Sequence, residues 1–230
     1  MTTHPSDRHL RTLTTPRAAA VAGVLFALLF GTALALIRTA LPEGAEHGSQ
    51  WIAGASGQLK VASVLMPFAG ITFLWFIGVI RDGFGSYEDK FFSTVFIGSG
   101  LLFLAMMFVS SAVGAGLVAT RVGLPDVTVR DELAIFGQGM LESLTTTYGL
   151  RMGAVFMISL ATIWLRTGLM PRWLVIVTYL VAVSLLISGG VTMWVVLAFP
   201  LWVLVVSMLL LTRAGVIDLH HEDPDGPDRQ

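Results

Sequence analysis

The chain has 230 residues, 55% of them hydrophobic and only 13% charged, with a mean hydropathy of +0.79. A soluble domain carries about 25% charged residues; at roughly half that share, polar side chains cannot cover a compact globule, and lipid must supply part of the solvent. A formal net charge of -1 leaves no basic field for nucleic acid, and the lack of Cys excludes disulfides, thiolate metal sites and cysteine nucleophiles.

Residues 1–16, rich in Ser, Thr, His and Arg, read as a solvated cytoplasmic tail. The first apolar run, Ala18 to Ile37, is fenced by Arg17 and Arg38, whose spacing is about 31 Å of helix, close to one hydrocarbon thickness. Ala33-Leu34-Ala35 has the form of a signal-cleavage site. The run is nevertheless longer than an ordinary signal-peptide core of about 7–15 residues, so a retained helix is expected. Within it Ala19, Gly23, Ala27, Gly31 and Ala35 recur at every fourth position. Small side chains let a second backbone come close in lipid, so Gly23, Ala27 and Gly31 are expected to pack against another helix of the chain or a second copy.

The next segment, "PEGAEHGSQWIAGASGQ", is a Gly-rich loop leading to the second run, Val61 to Ile80, which contains Pro67 and lies between Lys60 and Arg81. The third run, Phe91 to about Ala119, is longer than a crossing needs and must tilt or emerge; Ser111, Ala115 and Ala119 repeat the small-residue spacing. After it, "PDVTVRDELAIFGQGMLESL" places Leu133, Phe136, Met140 and Leu144 at helical spacing among charges. This amphipathic segment, about 126–146, is expected to lie along the outer interface before turning into the fourth helix, forming a cap with the first loop.

The fourth run extends from about Tyr148 to Leu165 and stops at Arg166. From Trp173 to Thr212 there is no charge, and about 60 Å of helix makes two crossings, with the turn expected at Ser188-Gly189-Gly190. Pro67 and Pro200 are expected inside helices two and six, where proline removes a backbone hydrogen bond and kinks the helix. Trp75, Trp164 and Trp173 fall near the inner interface and Trp194 near the outer one, the depth that indoles favour. Residues 214–230 form an acidic cytoplasmic tail broken by Pro and Gly. His220-His221 beside Glu222 and Asp223 belong to that tail and read as solvated rather than metal-binding.

Lys and Arg set the orientation. With the N-terminus inside, nine basic residues fall on the cytoplasmic side and five outside, so both termini are expected in the cytoplasm. Between helices four and five, "RTGLMPRWL" (166–174) has a readable turn. Gly168 closes one helix in a left-handed conformation, Pro171 opens the next, and Arg166 and Arg172 meet lipid phosphates. This segment resembles an inner hairpin that recurs in uncharacterised six-helix bacterial membrane proteins, common in actinobacteria: a basic residue, a Gly, then Pro-Arg-Trp-Leu. The resemblance implies a polytopic membrane fold and carries no activity with it. The excess of Arg over Lys, with abundant Ala, Gly and Val, also fits a GC-rich bacterial genome.

Two charges stand at the mouth of the fourth run, in "GMLESLTTTYGLRMGAVF". Glu142 and Arg151 are nine positions apart, about 180° around and about 13 Å along a continuous helix, so they cannot pair there. Arg151 lies about 22 Å from Arg166, inside the outer leaflet and within snorkelling reach of its surface. It is an interface anchor, or one side of a polar vestibule with Glu142 and with Tyr148, which shares its face. Gly149 and Gly153 flank it, leaving room for a neighbouring helix.

The five His all lie outside the runs, which excludes bis-histidine haem in the bundle, and no Asp, Glu or His sits near mid-span. No metalloprotease, hydrolase-elbow or P-loop motif is present. The chain thus reads as all-α: a six-helix transmembrane bundle over 17–213, N-in and C-in, in a bacterial plasma membrane. No catalytic, cofactor or metal residue is assigned. The expected role is packing or partner contact in the bilayer, as a homo-oligomer or with a partner subunit. The alternative is a small transporter for an apolar or amphipathic solute, entered near Arg151.

Overall fold

The computed structural model describes residues 15–41, 50–82, 90–123, 126–187 and 193–219, and all regular structure among them is helical. In chain order these are α1 (Thr15–Ala40), α2 (Gln50–Asp82), α3 (Lys90–Gly123), α4 (Val127–Glu142), a π-helical turn (Ser143–Gly149), α5 (Leu150–Thr167), α6 (Arg172–Ile187), a 3₁₀ turn (Met193–Leu197) and α7 (Ala198–Leu219). Five helical stretches are long and apolar enough to cross a membrane: Arg17–Ala40, Gly54–Asp82, Lys90–Thr120, Val127–Thr167 and Val195–Thr212. The sixth, Arg172–Ile187, is apolar but shorter. The Ser188-Gly189-Gly190 turn, Trp194's side chain, residues 1–14 and His220-His221 lie outside what is described.

α1 packs against α2 and α7, α3 against α2 and α5, and α6 against α5. Aromatic rings fill the space between them. Phe73 of α2 lies 4.5 Å from Phe26, 5.7 Å from Phe103, 5.4 Å from Phe156 and 5.9 Å from Phe199, centroid to centroid, so rings from α1, α2, α3, α5 and α7 meet at one place. Hydrocarbon tails are as apolar as these rings, so burying them gains close packing and ring-edge contacts rather than escape from water. Side-chain hydrogen bonds tie the last helices together: Trp202 Nε1 donates to Thr178 Oγ1 (3.0 Å), and the Thr162 and Tyr179 hydroxyls are 2.7 Å apart.

The turn after α5 forms as its sequence indicates. Gly168 adopts φ 68° and its N–H bonds to the Trp164 carbonyl, while the Pro171 carbonyl accepts from Leu174 and Val175 at the start of α6. Pro171 therefore sits one residue before α6, and Pro200 falls in the first turn of α7, where its missing N–H costs nothing. The kink expected from Pro200 inside a helix is replaced by this helix start, preceded by the 3₁₀ turn. Trp75 and Trp173 are exposed, as interface anchors would be; Trp164 is not. It is buried 6.2 Å from Trp202 and belongs to the core.

The amphipathic segment also differs from expectation. It does not turn into the fourth span: α4, the π turn and α5 run as one unbroken helix of 41 residues, about 61 Å long. Asp126 caps its start, accepting from the Thr128 N–H at 2.9 Å. Its packed face is Ala134, Gly137 and Leu141, with Leu117 of α3 seated over Gly137. Leu133, Phe136 and Met140 point outward, and Phe136 is 69% exposed. α2, α3 and this long helix all exceed one hydrocarbon thickness, and their surplus lies at the end of the bundle where α1 stops.

Candidate functional site

At that end, the sequence Ser-Leu-Thr-Thr-Thr-Tyr-Gly (143–149) winds as a π turn. Consecutive β-branched threonines crowd an α-helix, and each hydroxyl can bond a carbonyl four residues back. Thr145 Oγ1 donates to the Leu141 carbonyl (2.8 Å) and Thr146 Oγ1 to that of Glu142 (2.6 Å). Gly149 closes the turn because a Cβ there would overlap Met107 of α3 and stand 2.9 Å from the Leu144 carbonyl. Such π turns inside α-helices cluster at functional sites.

Arg38, in the last turn of α1, faces this turn. It is buried, with 5% of its surface exposed, and its Nη2 donates to Thr145 Oγ1 at 3.1 Å. Its Nε and Nη1 are buried and have no hydrogen-bond partner. Glu142 acts on the guanidinium through space while its own side chain is exposed. Beside this layer, Ile37, Leu59, Leu141, Ser63, Ser110 and Ser111 line a seam with no room for a water, and Ser110 Oγ has no partner.

The vestibule expected from Glu142, Tyr148 and Arg151 is not assembled in that form. Glu142 and Tyr148 are exposed, and half-buried Arg151 donates from Nη1 to the Thr147 carbonyl on its own helix at 3.3 Å. The polar centre is instead Arg38 with Thr145, and Glu142 belongs to it. Arg151 braces a carbonyl of the π turn, which a lysine can also do. We expect the stability of Arg151→Lys in detergent to lie within about 0.5 kcal/mol of the parent, and Arg151→Ala to lose about 1 kcal/mol, the net worth of one hydrogen bond. A loss with Lys as large as with Ala would show that the planar guanidinium is required.

The small-residue positions divide. Gly23 and Ala27 are buried, whereas Gly31 is half-buried, with nothing closer to a would-be Cβ than Pro200 at 3.9 Å. Gly153 is a tight position, where a Cβ would stand 3.2 Å from the Phe199 ring. On α3, Ser111 is buried but Ala115 and Ala119 are exposed, so that repeat does not mark a packed seam.

Arg38 was legible in sequence only as the fence of the first span. The signal that marks it as buried is its phase: it follows Phe30 and Leu34 at intervals of four, on the packed face of α1. Among the described residues no three His, Cys, Asp or Glu converge as a metal site. Comparison with protein-family models, with curated proteins and with solved structures gives no significant match, so the geometry of this polar layer is what a functional reading has to stand on.

Proposed function

We propose that the chain is a multi-pass plasma-membrane protein with both termini in the cytoplasm, acting by contact in the plane of the bilayer rather than by passing a solute through its centre. The supporting observation is the phenylalanine cluster. A permeation path needs a roomy or polar cavity at mid-depth, and here rings from five helices occupy that position. A contact protein needs instead an open flank of small and apolar residues. The groove between α1 and α7 has that character: Ala27, Gly31, Ala198, Pro200 and Leu201 line about 530 Å³ open to the lipid side.

The chain has no Cys, so a single introduced thiol is unique. Leu201→Cys, on the groove, should cross-link in native membranes to a neighbouring polypeptide or a second copy, whereas Trp75→Cys, exposed on α2, should not. Reporter fusions after residue 230 and after Asp82 should both read cytoplasm. Equal labelling at the two thiols, together with solute flux into proteoliposomes above that of empty vesicles, would favour the transporter reading instead.

A further inference from the structure

We propose that Arg38 is the centre of a binding site for a phosphate-type oxyanion, at the rim of the bundle where α1 ends. The proposal is independent of the partner-contact reading and rests on the state of one side chain. A guanidinium presents five N–H donors in a planar fork suited to phosphate or carboxylate oxygens. In Arg38 only Nη2 is engaged, by Thr145 Oγ1; Nε and Nη1 are buried with no acceptor. A cation withdrawn from water with unmet donors is a net cost to the fold. Its surroundings nevertheless hold it in place. Thr145 orients the fork, and Thr145 is fixed in turn by its own bond to the Leu141 carbonyl in a π turn that departs from regular helix.

Position and charge identify the ligand. Arg38 lies about 31 Å along α1 from Arg17, so the guanidinium stands at the edge of the hydrocarbon, the level at which headgroup phosphates begin. Glu142, exposed on the same rim, offsets part of the positive charge without touching it. Nε and Nη1 are closed off in the unliganded chain, so an oxyanion reaches them only by displacing side chains packed over the end of α1; once there it supplies the missing acceptors and a full counter-charge in bidentate geometry. Two sources present that phosphate, a lipid headgroup and a free anion, and the same chemistry serves both.

The test uses the full chain in an uncharged detergent, with melting followed by tryptophan fluorescence. Inorganic phosphate is one probe and a short-chain phosphatidic acid the other, each against chloride at matched ionic strength. The parent should melt higher with a probe: with both or with phosphate alone if a free anion fits, with the lipid alone if the headgroup must be presented by its chains. Arg38→Met removes the unmet donors while keeping the volume. It should melt about 2–4 °C above the parent without probe, the shift of about 1 kcal/mol in a chain of this size, and should lose the probe response. Glu142→Gln, at an exposed position, should respond at severalfold lower probe concentration because a like charge has gone. Three results would overturn the proposal: a parent indifferent to both probes, Arg38→Met keeping the full response or melting below the parent, or Glu142→Gln binding no better.

Discussion

Gly23→Leu should leave little folded protein in detergent extracts, with any that survives melting about 6–12 °C below the parent. Gly23 sits where α1 meets both α2 and α7: a Cβ there would overlap Ser207 Oγ and stand 2.8 Å from the Phe76 ring. Ser207 and Phe76 are both fully buried, so neither has free space to move into. Overpacking a filled interior costs about 1–3 kcal/mol and more when backbones must part, and about 3 kcal/mol corresponds to that temperature shift in a chain of this size. Gly31→Leu is the internal control. Its site is half-buried and faces the open groove, so it should cost less than about 1 kcal/mol. Gly23→Ala is the finer measurement: combined with Ser207→Ala, which removes the overlapping oxygen, it should recover part of the loss. If Gly23→Leu melts with the parent, α1 does not approach α7 as closely as the structure places it.

The same helix shows what the sequence could and could not convey. Its span was legible from two arginines and an apolar run, because length and charge alone decide whether a helix fits a bilayer. Its packed face was only half legible. A spacing of four residues turns about 400°, so a strict every-fourth stripe drifts about 40° at each step. By Gly31 and Ala35 it has rotated off the buried face. The true seam alternates threes and fours, through Gly23, Phe26, Phe30, Ala33 and Ile37. Arg38, four residues after Leu34, falls on the flank of that seam, so the arginine that fences the span is also buried.

The segment before α5 was legible in its amphipathic character and not in its course. Leu133, Phe136 and Met140 are exposed, as an apolar face laid on lipid requires, but the helix runs straight into α5 instead of turning, with Ala134, Gly137 and Leu141 packed inward. Trp164 does differ: an indole near a span's end suggests an anchor, yet α7 brings Trp202 against it. The hairpin at Gly168 and Pro171 was legible because its geometry depends only on local backbone preferences. The π turn was not. Three threonines and a tyrosine before a glycine admit several conformations, and the observed one depends on the room that Gly149 leaves for the Leu144 carbonyl and for Met107 of α3.

That dependence makes Gly149→Val the second large effect to expect. Gly149 lets the Leu144 carbonyl and the end of Met107 occupy the space a side chain would take. Met107 is flexible and can shift; the carbonyl is backbone and cannot, except by rewinding the turn as α-helix. Rewinding removes the surplus residue and rotates everything N-terminal to it relative to α5, by about 100° per residue. The Thr145 hydroxyl would leave Arg38, and α4's packed face would leave α3. We therefore expect Gly149→Val to lose about 3 kcal/mol or more, well beyond the usual cost of β-branching in a helix. Gly139→Ala, where a Cβ meets nothing within 4 Å, should instead be neutral or stabilising by up to about 1 kcal/mol. The decisive readout is chemical as well as thermal. Leu117→Cys and Gly137→Cys bring two thiols to a contact that exists only while α4 keeps its present face toward α3. In the otherwise parental chain they should oxidise to a disulfide in the membrane; with Gly149→Val added, the bond should form poorly. Full oxidation in the triple variant would mean that α4 is held by its own contacts, and that the π turn adapts to α4 rather than setting it.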